Sequence, residues 1–260
     1  MTAEVLRILI IQSDIIWKDT LENLRRYSSM LQSFEQQVDL ILLPEMFTTG
    51  FLTVPENILE DMQEEAISWL KNVAVKRNCS IAGSLIITEN HNYYNRLICA
   101  HASSEASFYD KRHLFRMDGE EEYFTQGMQR VISIIKGWRI CWQICYDLRF
   151  PVWSRNQGDY DVLVYAASWP AHRSDVWNTL IRARAIENQS YVIGVNRIGK
   201  DGNDIVYLGE SSVIDPKGNM INDFNAGEEK MISVELNYTP LLDFRNKFPV
   251  QLDADKFSIL

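Results

Sequence analysis

Residues 139–151 of this 260-residue chain read RICWQICYDLRFP, an apolar run that ends at Cys145 and is followed at once by polar residues and a proline. A continuous apolar run of this length is typical of a β-strand buried on both faces, and the proline marks where the strand has ended. The pattern predicts a strand over Arg139–Cys145 and a short helix over Pro151–Gln157, which begins with proline. The thiol of Cys145 is therefore expected at the lip of a sheet.

Two other apolar runs end in ionisable residues whose chemistry complements a thiol. Glu45 follows the run 40–44, and Lys111 lies in the stretch 108–113. A cysteine attacks as its thiolate, and an ordinary thiol pKa of about 8.5 means that it needs a base or a nearby positive charge. If the three side chains meet, Glu45 can accept the proton, while Lys111 and the backbone N–H of Tyr146 can stabilise an oxyanion. Sequence spacing alone does not bring them together.

Helical and strand patterns alternate along the rest of the chain, which predicts an α/β protein whose sheets are covered by helices. Further helices are predicted over Trp17–Gln37, Ile58–Arg77 and Ser174–Gln189, the last with Ser174 as its N-cap, and residues 109–129 are expected to form a loop. Further strands are predicted over Val5–Gln12, Val38–Glu45, Cys79–Thr88, Tyr94–Ala100, Asp161–Ala167, Tyr191–Ile198, Ile205–Ile214 and Met231–Leu236. No linker, repeat or low-complexity stretch divides the chain, so a single domain is expected over residues 1–260.

Composition and charge argue against several classes of function. A net charge of −9 argues against a nucleic-acid partner or an anionic membrane surface. The N-terminus has no basic region, and the apolar run 5–11 is too short for a signal peptide or a membrane span. The four cysteines form no Cys-x-x-Cys pair, and the four histidines show no metal-ligand spacing. A cytoplasmic protein without a bound metal is therefore expected.

The order and context of the three ionisable residues resemble the nitrilase superfamily of carbon–nitrogen hydrolases, whose signature is a Glu-Lys-Cys triad. The resemblance extends from Val5 to about Pro249, and the matching stretches are Leu43–Phe47, Tyr109–Phe115, Cys145–Pro151 and Arg182–Gln189. It implies a four-layer α-β-β-α sandwich with the triad at one end of two packed sheets. It also implies a homodimer joined through helices and a reaction that needs no cofactor.

The resemblance also assigns roles to individual residues. Cys145 is the expected nucleophile, Glu45 the general base and acid, and Lys111 the group that orients the substrate and stabilises the oxyanion. The superfamily carries a second glutamate, seven residues before a glycine, which holds the lysine and the substrate amide in place. Gly127 puts that glutamate at Glu120, with its neighbours at 121 and 122 as alternatives.

Within the superfamily, the chain resembles the omega-amidase branch, whose members deaminate omega-amides of 2-oxo acids such as 2-oxoglutaramate. The stretches that carry this resemblance are Thr48–Phe51, Val152–Asn156, Ala167–Pro170, Trp177–Leu180 and Gly194–Arg197. One departure is His172, which stands where a proline is expected and bears on substrate contacts. The predicted substrate is a small amide of a dicarboxylic 2-oxo acid.

Five residues are candidates for contact with this substrate, namely Phe51, Tyr146, Arg149, Trp169 and Arg173. Arginine suits a substrate carboxylate because its guanidinium binds carboxylates in a bidentate manner. Three aromatic residues, Phe51, Trp169 and Trp177, are expected either in the pocket or in the core. Asp147 and Arg149 are expected in structural ion pairs near the nucleophile.

Three alternative functions compete with this hypothesis, and one of them is rejected. The same chemistry can act on another acyl group, as in an N-carbamoyl amidohydrolase, an aliphatic amidase or a nitrilase. A binding protein of the same fold without turnover is a second alternative. A thiol oxidoreductase using Cys141 and Cys145 is rejected, because residues four apart in a strand have Cα atoms about 13 Å apart, beyond the reach of a disulfide. Cys141, Cys79 and Cys99 are assigned to the core.

Overall fold

The computed structural model describes residues 2–55, 60–103, 105–222 and 224–258. Ile58, where the second predicted helix begins, lies outside these residues. The helices are α1 (Thr20–Gln32), α2 (Glu60–Arg77), α3 (Glu120–Tyr123), α4 (Pro151–Ser154), α5 (Ser174–Asn188) and α6 (Tyr238–Lys247). The strands are β1 (Val5–Gln12), β2 (Leu40–Leu42), β3 (Ser80–Glu89), β4 (Asn92–Ala100), β5 (Ala106–Asp110), β6 (Ile132–Ile135), β7 (Trp138–Ile144), β8 (Val162–Ala167), β9 (Tyr191–Asn196), β10 (Ile198–Lys200), β11 (Val206–Leu208), β12 (Ser212–Ile214) and β13 (Lys230–Asn237).

The strands form two large sheets and one small ribbon. The first sheet has the order β13–β1–β2–β3–β4–β5, and the second has the order β12–β9–β8–β7–β6. Strands β1, β2 and β3 are parallel to one another, as are β7, β8 and β9. The ribbon pairs β10 with β11. Both sheets are therefore mixed, with a parallel centre and antiparallel edges.

Alternate side chains of β1 pack into the two different cores on either side of the first sheet. Leu6, Ile8 and Ile10 pack in one cluster with the second sheet, whereas Leu9 and Ile11 pack in another with α1 and α2. This alternation follows from the two-residue period of a strand, and it buries both faces of the first sheet. On the far side, α5 covers the second sheet with Trp177, Ile181 and Ala185, all fully buried. The four-layer α-β-β-α sandwich is confirmed.

Most predicted elements form, with shifted ends. The first helix is shorter than predicted, because Asp19 caps it by accepting the backbone N–H of Glu22, and it ends at Gln32. The expected N-cap Ser174 is instead the first residue of α5, which follows Arg173. The loop predicted over residues 109–129 contains α3 and starts within β5.

The strand predicted over residues 205–214 is wrong as a single element. Gly209 and Glu210 both have positive φ angles, of 76° and 55°, so the chain bends there. The first part pairs in the ribbon as β11, and the second part joins the second sheet as β12. β5, β6, β10 and α6 were not predicted.

Among the helices that the structure describes, none combines the length and the apolar character needed to cross a membrane.

Candidate active site

Four strands deliver residues to one edge of the sandwich. Lys111 directly follows β5, Cys145 directly follows β7, and Ser168 directly follows β8, while Glu45 lies three residues beyond β2. The carboxyl ends of parallel strands lie at the same edge of a sheet, and in α/β folds this edge is where ligands bind. The two sheets thus bring Glu45, Lys111 and Cys145 to one place, although 66 positions separate the first two in the sequence and 34 separate the last two.

Cys145 sits at a sharp bend between β7 and a 3₁₀ helix over Cys145–Arg149. Its φ of 41° lies in the left-handed region, which costs a non-glycine residue about 1–3 kcal/mol. The buried guanidinium of Arg184 donates to the carbonyl of Leu148 over 2.6 Å and holds the turn. The bend exposes 8 % of Cys145, whereas Cys141, four residues earlier, has none of its surface exposed.

Asp147 fixes this bend from within. Its Oδ2 accepts the backbone N–H of Ile144 over 3.0 Å and the hydroxyl of Tyr109 over 2.7 Å. Its Oδ1 accepts the backbone N–H of His113 over 2.9 Å and lies 2.8 Å from the Nδ1 atom of the same residue. Asp147 therefore accepts hydrogen bonds from three residues near the nucleophile, and its contact with His113 is an ion pair only when the imidazole is protonated.

Lys111 is buried between two carboxylates. Its Nζ donates to Glu45 Oε1 over 2.9 Å, and to Glu120 Oε2 and Oε1 over 2.9 and 3.1 Å. The exposed fractions are 1 % for Lys111 and zero for both glutamates. The remaining oxygen of Glu45, Oε2, accepts the backbone N–H of Ser168 over 2.9 Å. Each charged group of the site is thus hydrogen-bonded, as buried charges require.

The carboxylate at the site belongs to Glu120 and not to its two neighbours. Glu120 Oε2 accepts the backbone N–H of Phe115 over 2.6 Å, which turns the side chain inward. Glu121 instead pairs with Arg116, and the next residue is exposed. Gly127 packs on the end of β5 so closely that an added Cβ would lie 2.1 Å from the carbonyl oxygen of Asp110.

Asn95 in β4 completes the site and was missed in the sequence. Its Nδ2 donates to Glu45 Oε1 over 2.8 Å and to Glu120 Oε1 over 3.2 Å. Its backbone carbonyl accepts the N–H of Lys111 over 3.0 Å. An asparagine inside a strand carries no motif of its own, so only the fold reveals this position.

Burial and neighbouring charges set the protonation states at the site. Burial raises the pKa of Cys145 well above its ordinary value, the charge of Glu45 adds to the rise, and Lys111 opposes it. Burial alone would lower the pKa of Lys111, but the charges of Glu120 and Glu45 outweigh it and the pKa is raised. Burial also raises the pKa of Glu120, an effect that Lys111 opposes and Glu45 strengthens. The site thus favours the neutral thiol of Cys145 and the ammonium form of Lys111.

A cavity of about 90 Å³ opens onto Cys145 and Lys111. All five residues predicted to contact the substrate line it, namely Phe51, Tyr146, Arg149, Trp169 and Arg173. The cavity also has lining residues that were not predicted, among them Asp118, Ile205 and Tyr207, and His172 lies in its wall. Trp177 is fully buried in the core, where its indole N–H donates to the carbonyl of Glu210.

Arg149 and Arg173 lie on aromatic faces of the cavity. The guanidinium of Arg149 is 5.3 Å from the ring centre of Trp169, and that of Arg173 is 5.2 Å from the ring centre of Phe115. Within the described part of the chain, neither arginine forms an ion pair with a carboxylate, so the pair expected for Arg149 is not found. Two cations of the cavity wall are thus available to an anionic ligand.

All four cysteines are free thiols, and Cys79, Cys99 and Cys141 lie in the core. No group of three or more histidine, cysteine, aspartate or glutamate side chains in the described ranges is arranged to hold a metal ion.

Comparison with known proteins places the chain in a family. The carbon–nitrogen hydrolase family profile matches residues 7–240. The chain is 43 % identical to the omega-amidase YafV of Yersinia enterocolitica, over 98 % of this chain and 99 % of that protein. It is 32 % identical to the 2-oxoglutaramate amidase of Bacillus subtilis, over 95 % of this chain and 96 % of that protein.

A solved structure of a related protein also points to this family. XC1258 from Xanthomonas campestris, a CN-hydrolase superfamily protein with an arsenic adduct in its active site, superposes with a TM-score of 0.96. It is 38 % identical, and the match covers 99 % of this chain and 100 % of that one. The chain therefore belongs to the carbon–nitrogen hydrolase family, the nitrilase superfamily, within which its resemblance to the omega-amidase branch is confirmed.

Proposed function

We propose that this protein hydrolyses the terminal amide of a small 2-oxo dicarboxylic acid, such as 2-oxoglutaramate, and releases ammonia. The observation that carries the proposal is the Cys145 thiol beside a buried Glu45–Lys111 pair, in a cavity whose wall holds two arginines that form no ion pair within the described part of the chain. The relatives named as omega-amidase and 2-oxoglutaramate amidase support the same substrate class.

The first half of the reaction forms an acyl-enzyme. Glu45 accepts the thiol proton as the Cys145 sulfur attacks the amide carbon, and the carbonyl becomes an oxyanion. Lys111 and the backbone N–H of Tyr146 stabilise this oxyanion, and one such donor contributes typically ~3–4 kcal/mol to the barrier reduction. Glu45 then returns the proton to the amide nitrogen, the carbon–nitrogen bond breaks, and ammonia leaves a thioester on Cys145.

The second half releases the acid. Glu45 removes a proton from water, the resulting hydroxide attacks the thioester carbon, and the carbon–sulfur bond breaks. The proton returns to the sulfur and restores the thiol. Glu120 does not exchange protons in this scheme. It holds Lys111 through two hydrogen bonds and so keeps the ammonium near the carbonyl oxygen and the substrate amide in place.

The far end of the cavity supports the choice of a dicarboxylic substrate. The reacting amide must lie against Cys145, so the second carboxylate of a short acyl chain would lie in the same small cavity, which Arg149 and Arg173 also line. Each guanidinium lies over an aromatic ring, and its N–H donors can bind a carboxylate in a bidentate manner. Phe51, Trp169 and Tyr146 would contact the short carbon chain.

The proposal is tested by an ammonia-release screen. We expect 2-oxoglutaramate and 2-oxosuccinamate to be hydrolysed faster than glutamine, asparagine and N-carbamoyl compounds. The Cys145→Ala variant should lose more than about 1000-fold in kcat while remaining folded by circular dichroism. Substantial amidase activity in this variant would refute the mechanism, whereas a preference for glutamine would refute only the substrate.

The alternatives have distinct signatures. Release of carbon dioxide together with ammonia indicates an N-carbamoyl amidohydrolase. A binding protein without turnover is indicated if iodoacetamide alkylates Cys145 no faster than the three core thiols.

The proposed setting of the enzyme is a cytoplasmic homodimer of one domain. Free cysteines fit a reducing compartment. Sedimentation equilibrium should give twice the 30.2 kDa chain mass, and a monomer at micromolar concentration would contradict the dimer.

A further inference from the structure

Asn95 contacts all three charged residues of the site. Its side-chain amide donates to both glutamates, and its backbone carbonyl accepts the N–H of Lys111. The residue has none of its surface exposed. Because a single NH₂ group bonds one oxygen of Glu45 and one of Glu120, it fixes the separation between these two carboxylates.

The orientation of this amide is dictated by its neighbours. Two carboxylate oxygens repel the amide oxygen, so the NH₂ group must face them. The amide oxygen then points away, and it has no hydrogen-bond partner among the residues described. An unsatisfied buried polar atom costs about 1–3 kcal/mol. The side chain is therefore arranged to serve the two glutamates at the expense of its own oxygen.

The charges around Glu45 explain why a neutral donor suits this position. Glu45 is faced by the ammonium of Lys111, the carboxylate of Glu120 and the thiol of Cys145. Two buried carboxylates with one cation leave one excess negative charge, which favours protonation of a glutamate. Hydrogen bonds to an ionised carboxylate oppose this protonation. A second cation would oppose it more strongly, but it would also make Glu45 a weaker base.

We propose that Asn95 is a positioning residue of the reaction, which donates a hydrogen bond to the carboxylate of Glu45 and holds its oxygens in place to accept the proton of Cys145. The inference rests on the proposed function for its kinetic test. It adds to that function a residue that acts through Glu45 and Glu120 without contact with the reacting atoms.

The kinetic experiment compares pH profiles of kcat/KM. Asn95→Leu has a similar volume and removes both donors. We expect the acid limb of its profile to move to higher pH, with a loss of about tenfold or more at pH 6 and a smaller loss at pH 9, since one pH unit corresponds to a factor of ten. KM should change less than kcat, because the amide does not face the acyl chain.

Two further variants keep the test decisive. Asn188→Leu removes another fully buried asparagine, which bonds Arg184 and Asn156 in the helix layer. It should lower stability and leave the acid limb where it is. Asn95→Ser keeps one donor and fits without overpacking, so it should give an intermediate shift even if Asn95→Leu fails to fold. An equal loss at every pH in both Asn95 variants would indicate a purely structural role and overturn the proposal.

Alkylation separates this proposal from the proposed function. The rate at which iodoacetamide modifies Cys145, followed by mass spectrometry from pH 5 to pH 9, depends on Glu45 as base and needs no substrate. We expect the acid limb of this rate to shift in Asn95→Leu as it does in kcat/KM. An unchanged acid limb of the alkylation rate would refute the role of Asn95, and a shifted one would support it. Both conclusions hold even if the wild-type protein hydrolyses no amide.

Discussion

At the scale of single residues, the side chain of Lys111 decides whether two carboxylates can stay ionised inside the protein. Its ammonium donates hydrogen bonds to both Glu45 and Glu120, and all three side chains are buried. A buried charge that loses its partner is far more costly than a surface charge, because no water replaces the lost interaction. The lysine therefore contributes to stability as well as to the chemistry proposed for it.

Replacement of Lys111 by methionine keeps the length of the side chain and removes the charge. We expect Lys111→Met to lower the free energy of unfolding at pH 7 by ~3–5 kcal/mol, as measured by urea titration. Lys136→Met is the matched control, because the Lys136–Asp39 ion pair has a lysine side chain that is 59 % exposed. This control should lose only ~0–1 kcal/mol.

The stability lost in the Lys111→Met variant should depend on pH in one direction. Without the cation, the two buried carboxylates bind protons more readily in the folded protein than in the unfolded chain, where carboxylates titrate near pH ~4. Stability linked to such groups is present at low pH and is lost as the pH rises. The deficit of the variant should therefore be smaller at pH 5 than at pH 7. A deficit that grows on acidification would contradict this account.

The sequence could predict only those site residues that have a signal of their own. Glu45, Lys111 and Cys145 each end an apolar run, and their surroundings carry the family motifs. Asn95 lies within a strand, and Tyr207 lies in a ribbon that reaches the cavity from a distant part of the chain. Their positions depend on how strands are stacked in three dimensions, which a pattern of polar and apolar residues does not contain.

At the scale of elements, Asp147 joins the two segments that present Lys111 and Cys145. It bonds the N–H of Ile144, just before the nucleophile, and both the N–H and the ring of His113, two residues after the lysine. With the hydroxyl of Tyr109, these contacts use about all of the acceptor sites that a carboxylate has. Asp147 therefore fixes the end of β7 relative to the end of β5.

Replacement of Asp147 by asparagine should loosen this connection. One carboxylate oxygen becomes an NH₂ group that faces donors, so hydrogen bonds to a charged acceptor are lost. We expect Asp147→Asn to lower the free energy of unfolding by ~2–3 kcal/mol and to reduce kcat, as measured by urea titration and ammonia release. Asp215→Asn is the control, because Asp215 caps a turn through backbone N–H groups and asparagine suits such turns. Equal effects in the two variants would contradict the special role of Asp147.

The elements that escaped prediction have physical reasons in common. β6 has only four residues at the edge of its sheet, and only two of them are buried, so its apolar signal is weak. α6 contains Pro240 in its first turn, where proline is tolerated although it usually marks a break. Inner strands such as β1 and β8 are mostly apolar and mostly buried, and they were predicted with nearly correct ends. Strands that are buried on both faces have continuous apolar sequences, and these can be predicted from the sequence.

At the scale of the whole molecule, the two sheets share one core. Leu6, Leu42 and Leu97 from the first sheet pack in the same cluster as Trp142 and Val164 from the second. Periodicity alone predicts alternating helices and strands, and it does not say that two sheets face each other. The stacking of the sheets came from the family resemblance, because the contacts between them join residues that are far apart in the sequence.

A shared core has a consequence for cooperativity, which tests the prediction of a single domain over residues 1–260. If neither sheet is stable without the other, urea unfolding followed by far-ultraviolet circular dichroism and by tryptophan fluorescence should give coincident transitions. Leu42→Ala, in the contact between the sheets, should lower the free energy of unfolding by ~2–5 kcal/mol and shift both transitions together. Ile134→Ala is the control, because the side chain of Ile134 is 70 % exposed and its removal should change the stability little.

All samples need the same protein concentration, because association would make the unfolding midpoint depend on concentration. Two separate transitions, or a shift in one probe alone, would show that the sheets unfold as independent units.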